Sequence, residues 1–178
     1  MALFTACDET VDEPVYFIGD SIVRLWDIDS SLPSLTHVNM GKSGSGIRYV
    51  ESLAGTRRND TVVVLIGTND LFGMHPEDMA SYCDRYLDAV CSLGASEVYL
   101  FSVLPREGED VNTLIRDFNS RIRELATTCP SVVYMPVYDR FIIDGSNSPN
   151  PQLFTDGLHL SWAGYEMLAA ALENNMRK

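Results

Sequence analysis

The chain has 178 residues, 46% of them hydrophobic and 21% charged, with 25 acidic against 13 basic side chains and a net charge of −12. That length suits one domain with a full core, while the charge argues against nucleic acid, which needs a basic face, and against anionic lipid surfaces. No apolar run approaches the roughly twenty residues that span a bilayer.

Residues 1–13 read as a tether and 14–178 as the folded domain. Within the tether, Leu3-Phe4-Thr5-Ala6-Cys7 resembles a bacterial lipobox, in which small residues precede a cysteine that becomes lipidated. The basic region and most of the apolar region of a signal peptide are missing, so a frayed terminus is the competing reading. A lipid anchor at Cys7 would place the chain at the bacterial cell envelope; without it, the cytoplasm is the expectation.

From Val15 onward, short apolar runs alternate with helical periods, the pattern of a parallel sheet covered by helices on both faces. Strands are expected at 15–18, 36–40, 61–66, 97–103 and 132–137, and helices at 21–27, 45–53, 76–93, 112–127 and 161–175. Pro76 suits a first helical turn, Gly94 a position just past a helix end, and Asn112 a helix cap. Segments 104–110 and 144–155 read as loops, the first at the carboxyl end of the fourth strand and therefore beside any cleft there. Cys83 and Cys91 fall on one helix about 12 Å apart, too far to bond to each other. Cys83, Cys91 and Cys129 are accordingly expected as buried thiols, and no cysteine or histidine spacing suggests a metal.

Four polar segments interrupt this pattern. Val15-Tyr16-Phe17-Ile18 breaks at Gly19-Asp20-Ser21 and a helical period begins at once. That turn lifts Ser21 out of the carboxyl edge of the sheet, where open α/β folds bind ligands; Ser21 could be a nucleophile or simply cap the helix. Asn39-Met40-Gly41-Lys42-Ser43-Gly44-Ser45-Gly46 could bring backbone N–H groups close to a ligand or form a plain turn, and lacks phosphate-loop spacing. Gly67-Thr68-Asn69-Asp70 places an amide beyond a buried strand, to hold an oxyanion or to cap a turn. Of the three histidines, His37 opens a strand and His75 precedes Pro76 in a loop. Only His159 has a carboxylate three residues earlier, Asp156, able to accept its Nδ1–H and fix the tautomer.

Gly19-Asp20-Ser21, Asn39 through Gly44, Gly67-Thr68-Asn69-Asp70 and Asp156-Gly157-Leu158-His159 together resemble the four signature blocks of the SGNH hydrolases, the GDSL esterases and lipases, in family order. The resemblance implies a flavodoxin-like α/β/α sandwich with a five-stranded parallel sheet in order 2-1-3-4-5. It implies catalysis by Ser21, His159 and Asp156, and an oxyanion hole from the Ser21 N–H, the Gly44 N–H and the Asn69 side chain, with Gly41 as the alternative donor. Asp20 would brace the nucleophile turn. Two departures stand out: Ile22 where the first block usually has Leu, and Ser45-Gly46 where Asp-Thr is common, which removes a polar brace from the loop.

The expectation is a serine esterase without cofactor or metal, acting on short acyl, most plausibly acetyl, esters of carbohydrates. The alternatives are a lysophospholipase or thioesterase on single acyl chains, and a non-catalytic carbohydrate-binding domain of the same fold.

Overall fold

The computed structural model describes residues 13–176, so the Cys7 motif lies outside the described residues. In chain order the elements are β1 (Val15–Gly19), α1 (Ser21–Arg24), α2 (Ile28–Ser31), β2 (His37–Gly41), α3 (Ile47–Glu51), β3 (Thr61–Leu65), α4 (Thr68–Leu71), α5 (Met79–Ser92), β4 (Glu97–Phe101), α6 (Glu109–Leu125), β5 (Val132–Met135) and α7 (Trp162–Met176). All strand pairs are parallel, in the order β2-β1-β3-β4-β5. The chain has the flavodoxin-like three-layer sandwich that its signature blocks imply.

Strand periodicity builds the two outer layers. Phe17, Val63, Leu65, Tyr99 and Phe101 point to one face, against Ile22 and Val23 of α1, Ile28 of α2 and Leu168 and Leu172 of α7. Ile18, Val62, Val64, Val98 and Leu100 point to the other, against α3, α5 and α6 through Ile47, Tyr86, Val90, Ile115 and Phe118. With both faces covered, the inner strands are near-continuous apolar runs.

Gly19 is level with Gly41 on one side and Leu65 on the other. Because β1 lies between β2 and β3, the chain leaves the sheet in opposite senses after β1, toward β2, and after β3, toward β4. The crevice this opens at the carboxyl edge is where α/β sheets place ligands. The turns after β1, β2 and β3 all converge there.

Several elements differ from expectation. β3, β4 and β5 stop one or two residues early, because their ends leave the ladder for side-chain partners: the Ile66 carbonyl accepts the Tyr86 hydroxyl (3.0 Å), Ser102 Oγ accepts the Val137 and Tyr138 N–H groups (3.0 Å each), and Asn119 brackets Val103 through its N–H (2.9 Å) and carbonyl (2.8 Å). The expected first helix breaks after Arg24, and Asp27 caps a new turn by accepting the Ser30 N–H (3.2 Å). The helix expected from 112 begins at Glu109, and Asn112 turns inward instead of capping it. Gly94, at φ +77°, does sit just past α5.

The cysteines require a correction. Cys91 and Cys129 form a disulfide, with Cα atoms 6.5 Å apart and a sequence separation of 38; only Cys83 is a buried free thiol among the described residues. The crossover that leads from α5 through β4 and α6 brings the end of α5 beside the turn entering β5. Spacing within one helix could exclude the 83–91 pair but could not reveal this one.

Candidate active site

The first element of the site is the break after β1. Asp20 is 1% exposed and caps α1, its Oδ1 accepting the Ile22 N–H at 2.9 Å. Burial dominates its ionisation and pushes the carboxyl up to about 6, against the opposing pull of that N–H and of His159. Ser21 follows, half-buried, with its side chain at the carboxyl edge of the sheet.

The partner comes from the far end of the sequence. Residues 154 and 160 bridge as an antiparallel pair, and Thr155 donates its N–H to the His159 carbonyl (2.8 Å), closing a tight turn over 156–159. Inside that turn Asp156 Oδ1 accepts the N–H groups of His159 (2.7 Å) and Leu158 (3.1 Å), while Oδ2 meets His159 Nδ1 at 2.7 Å. The ring of His159, then its backbone N–H, hold the Asp156 carboxyl down at about 2. With Nδ1 protonated toward this fixed carboxylate, Nε2 is left as an acceptor, and it lies 3.0 Å from Ser21 Oγ. The geometry can therefore draw a proton off the Ser21 hydroxyl and stabilise the imidazolium that results.

The three candidate oxyanion donors at or beyond the ends of β2 and β3 differ in their hydrogen bonding. Gly44 adopts φ +72°, a left-handed conformation that favours glycine, and its N–H has no partner among the described residues. Asn69, on α4, donates one amide hydrogen to the Ser45 carbonyl (2.9 Å), which ties α4 to the Gly44 loop. Gly41 is different: its N–H already donates to Asn39 Oδ1 (2.9 Å), and a Cβ there would overlap the backbone of Arg24. Glycine at 41 serves the packing of β2 on α1, a contact that Asn39 completes by donating to the Val23 carbonyl (2.9 Å).

Sequence reasoning passed over the residue that holds the Gly44 loop. Asp70 Oδ2 accepts the Ile47 N–H (2.7 Å) at the start of α3 and the Tyr82 hydroxyl (2.8 Å) from α5. A Cβ at Gly46 would collide with this carboxylate. Ser45-Gly46 thus leaves room for a brace supplied from α4, and the loop is held without the usual Asp-Thr pair. The 104–110 loop does border the site: Glu107 donates its N–H to the Gly157 carbonyl at 2.7 Å. His37 lies half-buried 3.3 Å from the Leu35 carbonyl, and His75 is exposed, so neither joins the cluster. Among the described residues, no group of three His, Cys, Asp or Glu side chains is placed to hold a metal ion.

The sequence pattern of the GDSL-like lipase/acylhydrolase family matches residues 17–167. The chain belongs to this family. A solved structure from Streptococcus pneumoniae, provisionally described as a platelet activating factor, is 30% identical, with a TM-score of 0.75 over 95% of this chain and 86% of that one. A GDSL-like lipase from Bacteroides thetaiotaomicron is 23% identical, with a TM-score of 0.72 over 93% of this chain and 88% of that one. The acetylxylan esterase Axe2 of Geobacillus stearothermophilus is 18% identical, with a TM-score of 0.68 over 93% and 94%. At these lower identities the likeness is one of fold. Among curated proteins, none matches the sequence. Membership of the GDSL-like lipase/acylhydrolases makes the chain a carboxylic-ester hydrolase. No helix among the described residues is long and apolar enough to cross a membrane.

Proposed function

We propose that this hydrolase is a serine esterase of short-chain, chiefly acetyl, esters on carbohydrates, with Ser21, His159 and Asp156 as its triad. The observation that carries the reading is the unbroken run from Asp156 Oδ2 through His159 (2.7 Å) to Ser21 Oγ (3.0 Å). Ser21 Oγ attacks the ester carbonyl as its proton passes to His159 Nε2. The N–H groups of Ser21 and Gly44 and the second amide hydrogen of Asn69 meet the oxyanion. Collapse gives the acyl-enzyme and an alcohol that takes the proton from His159; a water deprotonated by the same nitrogen then releases the acid.

The open shape of the site supports a short acyl group. The His159 side chain is 28% exposed and Asp156 55%, so a long chain bound beside them would remain largely in water. It would forgo the roughly 0.8 kcal/mol that each buried methylene supplies. The acetylxylan esterase among the structural neighbours is compatible with acetyl transfer to water from a sugar.

Hydrolysis of p-nitrophenyl esters from acetate to palmitate tests the reading, with Ser21→Ala alongside. Acetate should give the highest kcat/KM, and folded Ser21→Ala should lose several orders of magnitude of kcat. A palmitate optimum would move the substrate to single-chain lipids, and an active Ser21→Ala would remove the covalent mechanism.

A further inference from the structure

Arg106 has no part in the chemistry above, yet it lies between two of the segments that supply it. Asn112 clamps its backbone: Asn112 Oδ1 accepts the Arg106 N–H (2.9 Å), and Asn112 Nδ2 donates to the Arg106 carbonyl (2.7 Å). The next residue, Glu107, is tied to Gly157, two positions before His159. The side chain runs the other way, with Nη1 3.4 Å from the carbonyl of Thr68, the neighbour of Asn69. Its guanidinium carbon stands 4.3 Å from the centre of the Phe72 ring, a side chain that is itself 62% exposed.

What this guanidinium lacks is an anion within hydrogen-bond reach; Asp20 acts on it only through its field. Its Nε is buried without a hydrogen-bond partner, and Arg106 joins no ion pair among the described residues, although the chain carries 25 acidic side chains. The guanidinium carbon lies over the Phe72 ring, and the planar N–H fork of an arginine can meet a carboxylate edge-on. Stacking and the Asn112 clamp hold the fork in place before any ligand arrives.

We propose that Arg106, supported on Phe72, is a binding subsite for a carboxylate carried by the alcohol part of the ester. The assignment to the alcohol follows from the proposed acetyl group, which carries no carboxylate of its own, so a charge on such an ester lies on its alcohol part. The proposal rests on the serine-esterase reading. A purely structural Arg106, serving only to balance the buried charge of Asp20, would affect charged and neutral substrates alike.

The test compares 3-acetoxybenzoate with its methyl ester, a matched anionic and neutral pair. In the wild type the ratio of their kcat/KM values should favour the acid, and raising salt from about 20 to about 500 mM should erode that preference. In Arg106→Gln the ratio should fall about tenfold or more, chiefly through KM of the acid, with Arg106→Lys keeping part of it. An unchanged ratio in folded Arg106→Gln, or a wild-type ratio insensitive to salt, overturns the subsite. Calorimetric titration of 3-hydroxybenzoate and methyl 3-hydroxybenzoate into the wild type and Arg106→Gln needs no turnover. Tighter binding of the acid that disappears in the variant supports the subsite, and equal binding of the two refutes it. Should the wild type hydrolyse neither ester, the esterase reading falls while the titration still decides the role of Arg106.

Discussion

Asp20 is the place where this fold gives up stability next to its reactive centre, and replacing it with Asn should recover it. The carboxyl is 1% exposed and is raised from the ordinary 3.8 to about 6, first by burial. In the unfolded chain it ionises near its ordinary value. Between about pH 4 and 6 the folded protein therefore holds more protons than the unfolded one, and unfolding free energy falls as pH rises. A difference of about two units, at 1.36 kcal/mol each, makes that loss about 3 kcal/mol, complete above about pH 7. Asp20→Asn keeps an oxygen for the Ile22 N–H and removes the charge, at about 1 kcal/mol for an amide N–H₂ poorly partnered in that position. The variant should be more stable than wild type by about 2 kcal/mol at pH 8 and slightly less stable at pH 4. Urea unfolding of both oxidised proteins, followed by far-UV circular dichroism across that range, reads the difference directly. Titrations of other groups largely cancel in the comparison. A stability difference that does not change with pH would refute the reasoning, since Asp20 would then titrate alike in the folded and the unfolded chain.

Asp156→Asn should lower kcat by about 10⁴, because an amide can present an N–H to Nδ1 and turn His159 into the wrong tautomer; ester hydrolysis by the folded variant measures it, and near-normal activity would remove Asp156 from the triad. Asn69→Ala should cost about 10²–10³ in kcat with little change in KM, whereas a change confined to KM would make Asn69 a ground-state binding residue. The Cys91–Cys129 bond closes a 38-residue span, worth about 4 kcal/mol of denatured-chain entropy. The Cys91→Ser, Cys129→Ser double variant should lose stability of that order in urea, and a loss below about 1 kcal/mol would show that the bond restrains little.

The parts of this molecule legible in the sequence are those written in adjacent residues. The β1 run and its break at Gly19-Asp20-Ser21 are local, as are the apolar runs of β3 and β4, and so is the turn in which Asp156 takes the N–H groups of residues 158 and 159. What escaped are decisions made by distant partners. Asn112 looks like a cap, but the carbonyl of Asn147 and the backbone of Arg106 draw it inside and let α6 start a turn earlier. Gly46 looks like a lost brace until Asp70, 24 residues away, occupies the space that a side chain would need. The disulfide and the stack of Arg106 on Phe72 are of the same kind. Each joins residues that only the crossovers of a parallel sheet bring together.

Ser21 and His159 are 138 positions apart, so the proposed hydrolysis waits for two distant segments to meet. During synthesis the serine, the Gly44 loop and Asn69 all emerge before the turn that carries the proton acceptor. α7 follows that turn, and its Tyr165 hydroxyl donates to the Ile22 carbonyl at 2.9 Å, fastening α7 onto the short helix that carries Ser21. On the proposed mechanism a nascent or clipped chain that ends before residue 156 holds a serine with no base and should be silent toward esters. Turnover then requires the 156–159 turn to stand beside Ser21, and recovery of ester hydrolysis during refolding should time that step.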